Sequence, residues 1–160
     1  MGTSVVFILI GMILMGICVL IIMPKMMMIT HRSEVDYEKT VSKLVGEINI
    51  TADWKVTNEF DYQKNIHDTG LGKIEKVGSI AVCNPKYASF ILTEESNRKV
   101  TAIMPLTIGV FEDKNNHVYI SDLNVRLMGM MFGGAIAKVM GIAGKDVIGM
   151  IVSAIKKGNH

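Results

Sequence analysis

The chain has 160 residues, room for one domain plus an anchor. Its formal net charge is +2, with no long basic run and no basic residues interleaved with aromatics, which argues against nucleic acid as a partner. Two cysteines, Cys18 and Cys83, do not make a structural disulfide, because Cys18 lies inside the first apolar run.

Hydrophobic residues make up 49% of the chain and gather at its two ends. Gly2 to Pro24 carries no charged side chain, and Val5 to Met23 is an unbroken apolar run with Gly11 and Gly16 as its only small interruptions. A run of about 20 such residues spans a bilayer core as a helix, so a transmembrane helix is predicted, with the lipid bilayer as its partner. It lacks the basic start and the small-residue cleavage site of a signal peptide, so the anchor is expected to be retained. Lys25, Arg32, Lys39 and Lys43 follow the run and no Lys or Arg precedes it. The positive-inside rule then places the folded part in the cytoplasm.

Met23, Met26, Met27 and Met28 surround Pro24 and Lys25. Thioethers bind Cu(I), but no cysteine and only His31 stands near, so the group reads as an adaptable apolar collar rather than a metal site. Ser33 and Asp36 have the spacing of a weak capping box. Tyr37, Val41, Leu44, Val45 and Ile48 then share one face of a helix of about four turns. Trp54, Val56 and Phe60 suggest a strand whose alternation Asn58 breaks. Asp61 is placed to cap a short helix that Gly70 closes. His67, at the end of that helix, reads as a C-terminal histidine favoured by the macrodipole. Thr69 to Lys73 lacks the spacing of a phosphate loop.

The centre of the chain is Ile80 to Leu92. Ile80 to Cys83 has the apolar character of a strand covered on both faces. Asn84 is a good N-cap and Pro85 suits the first helical position, after which Tyr87, Ala88, Ile91 and Leu92 recur at helical spacing. Cys83 therefore stands beside the free N–H groups of a helix start, where a thiolate is stabilised. The competing reading is a small buried hydrophobe at a strand end. Cys83, Asn84 and Tyr87 form the candidate ligand or thiol site.

Glu94 to Lys99 reads as a polar turn, and Val100–Met104 and Leu106–Glu112 as strands separated by Pro105. Asp113 to Asn116 is a hairpin turn, with Val118 and Ile120 on one face of the returning strand. Three antiparallel strands are thus expected after the helix begun by Pro85. Arg126 to Gly141 reads as one helix. Gly129, Gly133, Ala137 and Gly141 recur every four residues along it, a stripe that admits close approach of another helix and marks a helix-packing or oligomer surface. Gly144 is expected to break the chain before a last helix faced by Val147, Ile148, Ile151, Val152 and Ile155. Lys156 and Lys157 suit its negative end and Gly158 its C-cap. Lys138, Lys145 and Asp146 interrupt this region and argue against a second membrane span, so it is expected to be a sheet-covering helix pair, with an interfacial or oligomer-forming pair as the alternative.

From about Asp36 onward the chain resembles the domain-of-unknown-function 302 family. The residues that carry the likeness are Trp54-Lys55-Val56, Val82-Cys83-Asn84-Pro85, Met104 to Val110 and Val118-Tyr119-Ile120-Ser121. The tract Met131 to Ala137 is similar to members with an apolar tail. The resemblance implies a compact α+β domain with an antiparallel sheet and no established activity. It also implies a cysteine after the proline of the later strand. Leu106 stands there instead, which speaks against two-thiol chemistry with Cys83.

The expected fold is α+β: a small antiparallel sheet covered by helices, plus one N-terminal transmembrane helix. Residues 1–32 form the anchor and juxtamembrane segment, and 33–160 the domain. No H-E-x-x-H, C-x-x-C, dinucleotide fingerprint or Ser-His-Asp order occurs, so no cofactor or metal is assigned. The expected function is a non-enzymatic, membrane-anchored binding or accessory domain, working as a homo-oligomer or with a membrane-complex partner. The alternative is a thiol-dependent or redox protein centred on Cys83.

Overall fold

The computed structural model describes residues 2–156, with side chains from Val6 onward. Lys157 and Gly158, expected to finish the last helix, and His160 lie outside the described residues. The first helix, α1 (Gly2–Met27), turns Phe7, Leu14, Leu20 and most of its other apolar side chains outward. Among the described residues it contains the one segment, Val6–Met27, long and apolar enough to cross a membrane, with mean hydropathy 3.2.

Strand β1 (Met28–Arg32) begins at the next residue and pairs antiparallel with β5 (Val118–Leu123). The segment expected to be juxtamembrane thus supplies an edge strand. Met28 stands opposite Leu123, and Met27 packs on the domain's second apolar cluster, so the collar is partly absorbed into the fold. Helix α2 (Tyr37–Ile50) is capped by Asp36, whose side chain accepts from the Lys39 N–H at 2.9 Å. Ser33 is not half of a capping box. Its hydroxyl meets that of Thr40 at 2.7 Å, and both residues are buried.

Strand β2 (Lys55–Asp61) shifts register against β3 (Val77–Cys83) between Val56 and Asn58, where the sequence alternation fails. Between these strands α3 (Tyr62–Asp68) is capped by Asp61 and followed by Gly70 at φ 72°. Strand β3 leads through Asn84 into α4 (Pro85–Leu92). Residues Glu95–Ile103 then form a 3-10 helix, not a strand. Val100 is their one buried side chain, so no period-two face exists there to join a sheet. Two strands, β4 (Leu106–Glu112) and β5, follow α4, rather than three. The sheet order is β1-β5-β4-β3-β2 with every pair antiparallel, which makes β3 an interior strand.

The C-terminal region is a helical hairpin with its bend in a different place from that expected. Helix α5 (Val125–Phe132) ends at Gly133, and α6 (Gly134–Ile155) runs unbroken through Gly144. Gly133 and Gly134 have φ of 70° and 56°, a pair that glycine adopts freely and that turns the chain back. Gly144 is isolated and stays helical because it fills a contact. A Cβ there would stand 3.3 Å from the backbone nitrogen of Arg126.

One face of the sheet packs against α2 and α6. Leu44, Ile48, Ile80, Val82, Ile108, Val110, Ile120, Val147 and Ile151 form this main core. A second cluster joins Ile91 of α4 and Val100 to Val125 and Met128 of α5 and Ile136, Val139 and Met140 of α6. The α+β class holds, and the helix pair covers the sheet through α6.

Candidate functional site

The strand-to-helix junction forms as the sequence dictates. Asn84 is buried, and its side-chain oxygen accepts from the N–H groups of Lys86 (3.0 Å) and Tyr87 (3.3 Å). Those donors are among the unsatisfied N–H groups of a first helical turn, so Asn84 acts as the N-cap. Pro85, at the first position, has none to satisfy.

Cys83, Asn84 and Tyr87 all line one cavity of about 50 Å³ where β3, α4, the 3-10 segment, α5 and α6 converge. Val82, Ala88, Ile91, Val139 and Met140 make its surface predominantly apolar. Such a space holds a few atoms of an apolar group, not a large polar substrate. The half-buried Cys83 has a free thiol, and burial pushes that thiol above its ordinary range. Burial thus works against the thiolate that the helix start favours at Cys83. Its nearest lysine in sequence, Lys86, is held by Asp53 at 2.7 Å.

Two residues that the sequence does not group with this site, Trp54 and Asp146, brace it. The Trp54 indole N–H donates to Asp146 Oδ2 at 3.1 Å, and the Tyr87 hydroxyl donates to the same oxygen at 2.9 Å. This carboxylate on α6 ties the entrance to β2 and the first turn of α4 together, fixing one wall of the cavity. Burial, and then the bond to Asp146, raises the Tyr87 hydroxyl above its usual value. The partners are 92 and 59 residues from Asp146 in the chain, so no local motif announces them.

The glycine stripe is divided by the fold. Gly129 lies on α5, Gly133 at the joint, and Ala137 and Gly141 on α6. A Cβ on Gly129 would stand 2.7 Å from Met140 Cβ and 3.4 Å from Ala137 Cα, so this glycine serves the packing of α5 on α6. Gly133 and Gly141 have open space at the Cβ position. Around the joint Met130, Met131 and Phe132 are exposed. His67 is exposed at the end of α3, beside Asp68.

No curated protein matches the chain. A crystal structure of an uncharacterized conserved DUF302 protein from Bacillus stearothermophilus matches with a TM-score of 0.71 at 20% identity, over 82% of this chain and 99% of that one. At that identity the likeness is one of fold. The profile described as "Domain of unknown function DUF302" matches residues 29–157, from the edge strand β1 through α6. The chain therefore belongs to the DUF302 family, and the matched residues follow directly behind its long apolar helix.

Proposed function

We propose that this protein is a membrane-anchored, non-enzymatic binding domain that holds the apolar part of a small ligand in the cavity beside Cys83. The observation that carries the reading is the convergence of Cys83, Asn84 and Tyr87 on one apolar space, braced by Trp54 and Asp146. The anchor is α1, supported by its length, hydropathy and outward-facing apolar side chains. Its flanking Lys25 and Arg32 favour a cytoplasmic domain. Self-association would use the exposed joint of Met130, Met131 and Phe132 together with the open Gly141.

Native mass spectrometry of the full chain in nanodiscs tests the ligand reading. A bound small molecule is expected on the wild type and absent from Ala88→Leu, which fills the cavity from α4. A wild type that carries nothing, or a ligand retained by Ala88→Leu, overturns it.

A further inference from the structure

A second site lies across the Met104–Leu106 segment from the cavity beside Cys83. Asp122 on β5 stands opposite Ile108 of β4, in a core-facing row where Val118, Ile120, Ile108 and Val110 are all buried and apolar. Its side chain is 4% exposed. Its Oδ1 has no hydrogen-bond partner among the described residues, and neither has the Nε2 of His31, 3.5 Å away on β1. A buried carboxylate oxygen with no donor at hydrogen-bond distance is costly. Asp122 lines a groove of about 270 Å³, whose walls include Ile103, Leu106, Val125 and Val147, with Ala102 and Thr107 exposed among its lining residues. No group of three His, Cys, Asp or Glu side chains gathers among the described residues, so a metal would find only two ligands here.

We infer that this groove binds a small primary ammonium with an apolar body, the cation seated on Asp122 and the body on Ile103, Leu106 and Val125. An ammonium supplies a positive charge and three donors to the unpartnered oxygen, which an alcohol provides only in part. The apolar walls accept the rest of such a molecule and offer nothing to a second charge. Amine binding at Asp122 depends neither on what occupies the cavity beside Cys83 nor on a membrane anchor.

Calorimetric titration of the full chain in nanodiscs, with empty nanodiscs as the blank, tests it. The probes are n-butylammonium, 1-butanol and butyrate. Saturable binding of the amine is expected, with the alcohol and the acid at least about tenfold weaker. Asp122→Asn keeps the shape and removes the charge, and is expected to weaken amine binding by about tenfold or more, with its fold checked by thermal melting. Ala102→Trp narrows the groove from an exposed position and should weaken all binding there. Absence of saturable amine binding, equal binding of 1-butanol, or an amine affinity unchanged in either variant overturns the assignment.

Discussion

Trp54 and Tyr87 meet edge to face, ring centroids 6.0 Å apart, and both donate to the same oxygen of Asp146. The pair links the loop before β2 to α4, and the shared carboxylate links both to α6. Asp146→Ala removes two charge-assisted hydrogen bonds at partly buried donors, so it is expected to lower stability by about 1–3 kcal/mol. Trp54 is the only tryptophan of the chain. Denaturation followed by its fluorescence reports both the loss and a shift in the folded spectrum. An unchanged transition would show that this brace does not hold the cavity wall.

The divided stripe gives a paired prediction. Gly129→Ala places a Cβ 2.7 Å from Met140 Cβ, which sits on a packed helix and cannot simply rotate away. It is expected to destabilise the domain by about 1–3 kcal/mol. Gly141→Ala meets nothing within 4 Å and lies inside α6. It is expected to be neutral or stabilising by up to about 1 kcal/mol, from helix propensity. Thermal melts of both variants in the same detergent check the contrast; equal effects would refute the packing role of Gly129.

Asp122 makes the pH prediction. Burial raises its carboxyl above the ordinary value, against the opposing pull of His31. Between the ordinary and the raised value the folded chain binds more protons than the unfolded one, so this group's contribution to stability falls as pH rises through that window. Asp122→Asn removes that loss. The variant is expected to melt about 2–6 °C higher than the wild type at neutral pH. The difference should shrink as pH falls towards the ordinary carboxylate range. A difference that grows on acidification would contradict the sign.

Cys83 is expected to be a slow thiol. Burial disfavours its thiolate, so alkylation in a Cys18→Ala background should be slower in the folded protein than in urea, and its pH midpoint should lie above that of the unfolded chain. Maleimide or disulfide-reagent kinetics measure both. A midpoint below the unfolded value would revive the thiol reading.

What the sequence disclosed depended on how local the cause was. Asn84-Pro85 and Asp61 act within three residues of themselves, and both helix starts stand where their chemistry places them. The hairpin at Asp113 is equally local, since its carboxylate accepts from the N–H groups of Asn115 and His117. β1 was not legible, because Met28–Arg32 is a five-residue edge strand with only two inward positions, Ile29 and His31, neither fully buried. The bend of the C-terminal hairpin stands at Gly133 rather than Gly144, and sequence alone does not separate them, because a lone Gly144 and the pair Gly133-Gly134 look alike as helix breakers. Only the contact with Arg126 shows why the first stays helical. The candidate residues Cys83, Asn84 and Tyr87 were adjacent and therefore easy to group. Trp54, Asp146, His31 and Asp122 acquire their neighbours only through sheet register and helix crossing.

The junction at Met27 and Met28 has a mechanical consequence. α1 ends and β1 begins with no residue between them, and β1 is bonded along its length to β5. Asn124, at the exit of β5, adds two bonds back to the end of α1, from its N–H to the Met27 carbonyl at 2.8 Å and from its side-chain amide to the Met26 carbonyl at 3.1 Å. A helix joined in this way is a strut rather than a tether. With α1 in a bilayer, the domain would stand at a set height and bearing above the lipid. A change in helix tilt would then reach the sheet first at β1, the strand that carries His31 to Asp122.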